Sequence, residues 1–155
     1  MTKKAFIVLN PVAGMTDADT VRQLIERRFS TAGWAYQLYE TKDGELIADV
    51  VRRALAENPD DERRGHCVDL CVAVGGDGTV SGVAGGLVSR SSSEAASSCP
   101  LGVIPTGTGN ALAQELNISQ DPEEAIDLLL GEHDVFEIDA MRIGERYFFL
   151  NIGIG

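Results

Sequence analysis

Residues 70–81 constrain this chain more than any other stretch: Leu70, Cys71, Val72, Ala73, Val74, Gly75, Gly76, Asp77, Gly78, Thr79, Val80, Ser81. An apolar run of strand length breaks into two glycines, one acid, a third glycine and a hydroxyl. An apolar run spaced by glycine and alanine follows over residues 80–88, of helix length. The order reads as strand, tight turn, helix. Gly75, Gly76 and Gly78 can take positive φ and let a ligand approach bare backbone. Successive N–H groups at the mouth of a helix form an anion site, strengthened by the helix dipole. Asp77 would repel a phosphate directly. Its place in such a turn makes sense if it faces a Mg²⁺ ion, a water on that ion or a transferred proton. A plainer reading is also open, in which Asp77 caps the helix and the glycines only make the turn.

The repeated order of apolar strand, turn and amphipathic helix predicts a three-layer α/β/α domain with a mainly parallel sheet. With 155 residues, 44% hydrophobic and 24% charged, the chain is long and apolar enough for one globular domain with a real core. A net charge of −11 argues against general nucleic-acid binding and against a strong electrostatic hold on anionic membranes. The pairs Arg27-Arg28, Arg52-Arg53 and Arg63-Arg64 are scattered among acids and are expected to be solvated. Cys67, Cys71 and Cys99 are odd in number, lack zinc-site spacing and follow no secretory signal, which predicts a reduced, cytoplasmic protein. No apolar run approaches the roughly 20 residues of a membrane span.

Further strand ends carry polar loops. Residues 5–9 read as a strand buried on both faces. It ends in Asn10, Pro11, Val12, Ala13 and Gly14, at the end of a strand where open α/β sheets keep their ligands. Asp17 or Asp19 is expected to cap a helix reaching about Phe29. A second strand over 34–40 ends near Thr41, which is either a site residue or a helix cap. A helix then runs through Leu46, Val50, Val51 and Leu55, followed by a polar loop over 58–65 and by His66 and Cys67, which have no matching ligand set. Residues 90–98 are Ser-rich and predict a loop inside one domain. A short strand over 101–104 leads into Pro105, Thr106, Gly107, Thr108, Gly109 and Asn110, a second glycine-hydroxyl turn, and then a helical run over 111–116. Gly107 and Gly109 bare the backbone. Thr108 and Asn110 offer side-chain donors, although Asn110 could equally be the helix cap. Asp121 and Pro122 start a helix that stops at Gly131. Residues 135–139 alternate apolar and acidic, and 141–143 with 147–152 give a hairpin signal. The apolar, glycine-spaced end at 153–155 suggests a piece of a longer protein.

Asn10-Pro-Val-Ala-Gly14, Gly75-Gly-Asp-Gly-Thr79 and Ile104-Pro-Thr-Gly-Thr-Gly-Asn110 together resemble the diacylglycerol kinase catalytic domain family. That family includes bacterial lipid kinases and sphingosine kinases, and is related to NAD kinases and 6-phosphofructokinases. Asn110-Ala111-Leu112-Ala113 looks more like the sphingosine kinase branch. The resemblance implies a fold like the N-terminal domain of NAD kinase and 6-phosphofructokinase. It makes residues 1–155 an ATP-binding domain whose β-rich partner domain is absent. It implies that the loop of Asn10, Pro11, Val12, Ala13 and Gly14, together with Thr41, lies at the nucleotide. Gly75, Gly76, Asp77, Gly78, Thr79, Val80 and Ser81 would cradle the phosphates of ATP, with Asp77 as the catalytic and metal-facing group. Thr108 would contact the nucleotide from the opposite turn, with Gly107, Gly109 and Asn110 as further contacts. The implied reaction moves the γ-phosphoryl of ATP to a lipid hydroxyl, diacylglycerol-like or sphingoid, with Mg²⁺. The implied setting is a cytoplasmic protein that touches the membrane surface peripherally and transiently.

Two departures bear on this. Ser81-Gly82 stands where the family usually carries Asn-Glu, and Asn110-Ala111 where many lipid kinases have Asn-Asp. The first favours an alternative, a non-catalytic nucleotide-binding or regulatory module of the same fold. A dinucleotide-binding oxidoreductase domain would need a third glycine after Gly76-Asp77-Gly78, and Val80-Ser81 does not supply it.

Overall fold

The structure, a computed structural model, describes residues 1–14, 16–56, 68–88 and 99–149. The polar loop at 58–65, His66, Cys67, the Ser-rich stretch at 90–98 and the apolar end from 150 onward lie outside the described residues, as does the pair Arg63-Arg64. The elements run β1 (Lys4–Leu9), α1 (Ala18–Thr31), β2 (Ala35–Glu40), α2 (Ile47–Ala56), β3 (Leu70–Gly75), α3 (Asp77–Val88), β4 (Leu101–Pro105), α4 (Ala111–Glu115), α5 (Pro122–Leu130), β5 (Met141–Ile143) and β6 (Arg146–Phe148).

Strands β1 to β4 form one parallel sheet in the order β2-β1-β3-β4. Its centre is apolar on both faces because β1 and β3 are covered on both sides. Alternation splits the side chains. Ala5, Ile7, Leu9, Leu70, Val72, Val74 and Ile104 face α1 and α5. Phe6, Val8, Cys71, Ala73 and Val103 face α2, α3 and α4. Three layers result, as the strand-turn-helix repeat predicts.

Local chemistry sets the helix ends. Asp17 rather than Asp19 caps α1: its carboxylate accepts from the Thr20 N–H at 3.0 Å. Asp121 caps α5, Pro122 opens it and Gly131 closes it, as the sequence predicts. Arg27, Arg52 and Arg53 are exposed, as their scattering among acids predicts, and Arg28 is half-buried. Arg28 reaches from α1 to Glu123 and Asp127 of α5, Arg52 pairs with Asp49, and Arg53 lies 3.9 Å from Glu45. These guanidinium groups face carboxylates rather than an open phosphate patch.

Helices α2 and α3 meet through glycine. A Cβ built on Gly82 would lie 2.8 Å from Ile47 Cβ, and one on Gly86 would lie 2.6 Å from Val51 Cβ and 2.8 Å from the Ala48 carbonyl oxygen. The apolar, Gly/Ala-spaced run of α3 is therefore a packing surface for α2. Gly86→Ala is expected to destabilise the fold by about 1–3 kcal/mol, because an extra methyl must displace backbone as well as side chain. Chemical denaturation checks this; an unchanged midpoint would show that the two helices can separate freely.

One expectation needs correction. Helix α3 starts at Asp77, three residues before the apolar run at Val80, because the turn residues themselves form its first turn. The stretch 135–139, noted only for its alternation, forms no strand: Val135 and Phe136 stand exposed at 66% and 67%, and no described strand runs beside it. The hairpin signal corresponds to β5 and β6, which pair antiparallel around Gly144 (φ 62°). Tyr147 of β6 rests on Gly85 of α3.

Candidate functional site

In the order β2-β1-β3-β4, the chain leaves β1 toward β2 on one side and returns to β3 on the other. Helices from the two connections cover opposite faces, so a crevice opens beyond the carboxyl ends of β1 and β3. The loops that follow β1, β2, β3 and β4, with residues 10–14, Thr41, residues 75–81 and residues 106–110, leave the sheet at this end.

Asn10 builds the first wall. Its backbone N–H donates to the Val74 carbonyl at 2.9 Å, continuing the ladder between β1 and β3. Its Nδ2 donates to Thr79 Oγ1 at 3.2 Å, and its Oδ1 accepts from the Val12 N–H at 3.2 Å. One side chain thus fastens the turn of Pro11, Val12 and Ala13 and ties it to α3. Gly14 carries the loop past the end of β3 to the turn after β4. Its φ is 73°, and a Cβ there would fall 1.5 Å from the Thr106 carbonyl oxygen. Glycine is required at this position on both grounds.

The turn after β3 does not use the positive φ that its glycines permit. None of Gly75, Gly76 and Gly78 has positive φ. The strand runs directly into the helix, and two of the three glycines serve space instead. A Cβ on Gly75 would lie 2.4 Å from Thr79 Oγ1, and one on Gly76 would lie 3.2 Å from Gly107 Cα. At Gly78 the surrounding space is open. Thr79 and Val80 are buried, and Ser81 is half-buried on the first turns of α3.

The two glycine turns are one unit. The Thr106 N–H donates to the Gly75 carbonyl at 3.0 Å. A Cβ on Gly107 would lie 2.4 Å from Gly76 Cα and 3.0 Å from Gly76 N. Asp77 completes the junction: its Oδ1 accepts from the Leu112 N–H at 3.4 Å, and its Oδ2 is 3.2 Å from a Cβ built on Gly109. Asp77 opens α3 but serves the amino end of α4, thirty-five residues on. Asn110 makes no cap bond to α4. The cap role considered for Asn110 falls to Asp77, and the α3 cap considered for Asp77 does not form. Thr108 and Gly109 are exposed on the turn after β4.

Thr41 lies on the other flank. Its N–H donates to the Leu9 carbonyl at 2.9 Å, beside Asn10. Helix α2 starts six residues later, at Ile47, so Thr41 is not its cap. Glu45 closes this loop instead, accepting from Tyr39 Oη–H at 2.5 Å and from the Lys42 N–H at 2.9 Å. The Tyr39 hydroxyl, then the Lys42 N–H, hold the Glu45 carboxyl below its ordinary value. The same Tyr39–Glu45 bond raises Tyr39. A depressed folded pKa means that the contribution is present above the unfolded value and lost as pH falls through the folded one. The turn at 42–45 is therefore expected to hold through the ordinary Glu range and to loosen only at more acidic pH. Hydrogen exchange at the Lys42 N–H, followed from pH 6 to 3, checks this against Glu45→Gln, whose protection should not fall with pH.

Two buried polar atoms were not evident in the sequence. Thr106 and Asn110 are each 6% exposed, and Thr106 Oγ1 and Asn110 Oδ1 have no hydrogen-bond partner. Asn110 has φ 54° and donates from Nδ2 to the Gly107 carbonyl and to Gln120 Oε1, both at 2.7 Å. Gln120 belongs to no motif. Its only sequence signal is its place beside the Asp121 cap.

Among the described residues no cluster of three or more His, Cys, Asp or Glu side chains could hold a metal by itself, and no helix is long and apolar enough to cross a membrane. Asp77 is the carboxylate at the junction of the two turns. A single carboxylate suits Mg²⁺, which keeps several waters and is commonly completed by substrate phosphates. The bare-backbone junction and the amino end of α3 suit a phosphate chain.

The domain is a parallel, doubly wound α/β fold with paired glycine turns at its switch point, where open α/β sheets keep their ligands. The chain belongs to the diacylglycerol kinase catalytic domain family, whose model matches residues 4–143. A diacylglycerol kinase of Staphylococcus aureus strain bovine RF122 is 31% identical over 160 residues, covering 100% of this chain and 44% of that protein. One from Staphylococcus saprophyticus is 29% identical and covers 100% and 46%. A crystal structure of a diacylglycerol kinase from Bacillus anthracis str. Sterne superposes with a TM-score of 0.74 at 27% identity, over 94% of this chain and 45% of that one. The chain thus spans about half the length of the curated relatives it matches.

Proposed function

We propose that residues 1–155 are the ATP-binding domain of a lipid kinase that transfers the γ-phosphoryl group of ATP to a lipid hydroxyl, diacylglycerol-like or sphingoid. The observation that carries this reading is the junction of Gly76 and Gly107, where two bare turns meet in front of the amino end of α3. Phosphoryl transfer needs positioning and charge neutralisation more than a covalent nucleophile, and the residues supply those. Backbone N–H groups at Gly76, Asp77 and Gly78 receive the phosphates. Asn10, Pro11, Val12, Ala13 and Gly14 form one wall of the nucleotide site and Thr41 its flank. Thr79 fixes Asn10, and Val80 and Ser81 anchor the turn into α3. Thr108 faces the nucleotide from the second turn, with Gly107, Gly109 and Asn110 beside it. Asp77 directs its free Oδ2 toward the mouth, where it holds Mg²⁺. Mg²⁺ and ATP supply, when bound, the transferable phosphoryl group and the cation that balances its charge.

The acceptor is a lipid alcohol met at a membrane surface by the longer protein. The setting is cytoplasmic with a transient peripheral membrane contact, and the acidic surface leaves nucleic acid out. Calorimetric titration of the chain with ATP and Mg²⁺ tests the core of this reading: weak saturable binding is expected. Absence of any nucleotide-dependent heat, together with unmoved amide signals at residues 76–81, would sink it.

One observation favours a second reading, a nucleotide-binding regulatory module without catalysis. Gly82 is filled by Ile47 where the family usually carries Glu, so α3 offers no carboxylate there. Lipid phosphorylation by the longer protein discriminates between the two.

A further inference from the structure

We propose that residues 107–117, the second glycine turn with α4, form a hinged flap that swings about Gly107 and Asn117 and opens the junction of the two glycine turns. The segment is tied to itself more than to its surroundings. Inside it, Asn110 Nδ2 donates to the Gly107 carbonyl at 2.7 Å, and Gln114 Nε2 donates to the Gly109 carbonyl at 2.6 Å. The Gln114 N–H donates to the Asn110 carbonyl, the Leu116 N–H to the Leu112 carbonyl and the Asn117 N–H to the Gln114 carbonyl, at 3.0–3.1 Å. Two described side-chain hydrogen bonds leave the segment. The Leu112 N–H donates to Asp77 Oδ1 at 3.4 Å, a long bond, and Asn110 Nδ2 donates to Gln120 Oε1. Burial of Leu112 and Ala113 adds to that grip.

Both ends can turn. Gly107 has no Cβ to restrict its backbone. Asn117 stands at φ 54°, in the left-handed region that asparagine enters more readily than most residues. Thr106, just before the flap, is fixed through its N–H to the Gly75 carbonyl. The closed position carries a cost that opening removes. Thr106 Oγ1 and Asn110 Oδ1 are the buried side-chain polar atoms without a hydrogen-bond partner among the described residues, and both lie at the base of the flap. Asn110 Oδ1 is enclosed where Gly107 meets Gly76, 2.8 Å from a Cβ built on Gly107. An unpaired buried polar atom keeps its full desolvation cost. Swinging the flap out parts Gly107 from Gly76 and gives both atoms to water, while it uncovers Leu112 and Ala113. The flap therefore opens locally, ahead of the sheet. A ligand lying across both turns engages the closed position and holds it; this last step rests on the nucleotide-site reading above.

Native-state hydrogen exchange on the full 155-residue chain tests the flap. The Gln114 and Leu116 amides should exchange through a local opening, at least about tenfold faster than Val72 and Ala73 in the centre of β3. Thr106→Val keeps the side-chain shape and deletes the unpaired hydroxyl. It should favour the closed flap and slow Gln114 and Leu116 by about tenfold. Ordinary fraying of a short helix would not respond to residue 106. Asn117→Ala penalises the closed hinge and should speed the same two amides by about fivefold, with Val72 and Ala73 unmoved. Unchanged or faster exchange of Gln114 and Leu116 in Thr106→Val, or a change shared equally by Val72 and Ala73, overturns the flap. ATP with Mg²⁺ should slow Gln114 and Leu116 in the unmodified chain. If ATP moves the amide signals of residues 76–81 but leaves that exchange unchanged, the closing step is overturned. If ATP moves neither, the nucleotide reading fails, and the Thr106→Val result still decides the flap.

Discussion

Gly107→Ala is expected to abolish nucleotide binding by this chain. The added methyl would fall 2.4 Å from Gly76 Cα and 2.8 Å from Asn110 Oδ1. The first of these is backbone, so the backbone must give way. Separating the two turns breaks the surface on which the phosphates are proposed to rest. The accompanying overpacking should cost about 1–3 kcal/mol of stability, small enough to leave most molecules folded. Gly76→Val should act in the same way from the opposite side, since its branched side chain extends beyond a Cβ already 3.2 Å from Gly107 Cα. Gly85→Ala, away from both turns, is the control: its Cβ would make only ordinary contacts, 3.8 Å from Tyr147 Cδ2 and 3.9 Å from Ala48 Cβ, so binding should survive. Calorimetry with ATP and Mg²⁺, alongside a thermal melt, reads both effects. Full binding by a folded Gly107→Ala chain would move the ligand away from this junction.

Gly76 and Gly107 also show what the sequence carries and what it conceals. A Gly-Gly-Asp-Gly run announces a place that excludes side chains, and residues 76 and 107 do meet there. It does not announce the reason. Positive φ is one use of glycine and close approach is another, and only the coordinates of the opposing turn distinguish them. The central strands were legible because β1 and β3 are apolar on both faces, which a parallel sheet requires. Helix α5 was legible because Asp121, Pro122 and Gly131 are local signals. The start of α3 was not, because glycine weakens the helical pattern over the residues that form its first turn. Residues 135–139 alternate as a strand would, but pairing requires a neighbouring strand, which alternation cannot report. The Asn110–Gln120 bond is equally hidden: ten residues apart, the two meet only because Asn110 turns left-handed and α4 is short.

In the longer protein expected to carry this chain, Asp77→Asn should remove most of the kinase rate while leaving the fold intact. The geometry separates the two roles of this side chain. Asn retains an oxygen at the Oδ1 position, so the bond from the Leu112 N–H at the start of α4 survives. What disappears is the negative charge on the side facing the mouth. Losing a group that holds a metal or a proton in transfer should lower the rate by about a hundredfold or more. Asp77→Ala removes both roles and should also lower the melting temperature, because α4 then has no side-chain cap. The difference in stability between the two variants therefore measures the cap, and their shared loss of rate measures the charge. The chain by itself should not phosphorylate lipid. A general base must come within roughly 2.6–3.2 Å of the acceptor hydroxyl. Asp77 is already engaged by Leu112 and assigned to the metal, and one carboxylate is poorly placed to serve as base as well. The assay uses radiolabelled ATP with mixed lipid micelles and compares the chain, the longer protein and the two variants. Robust turnover by the chain alone, or full activity of Asp77→Asn, would overturn this assignment of Asp77.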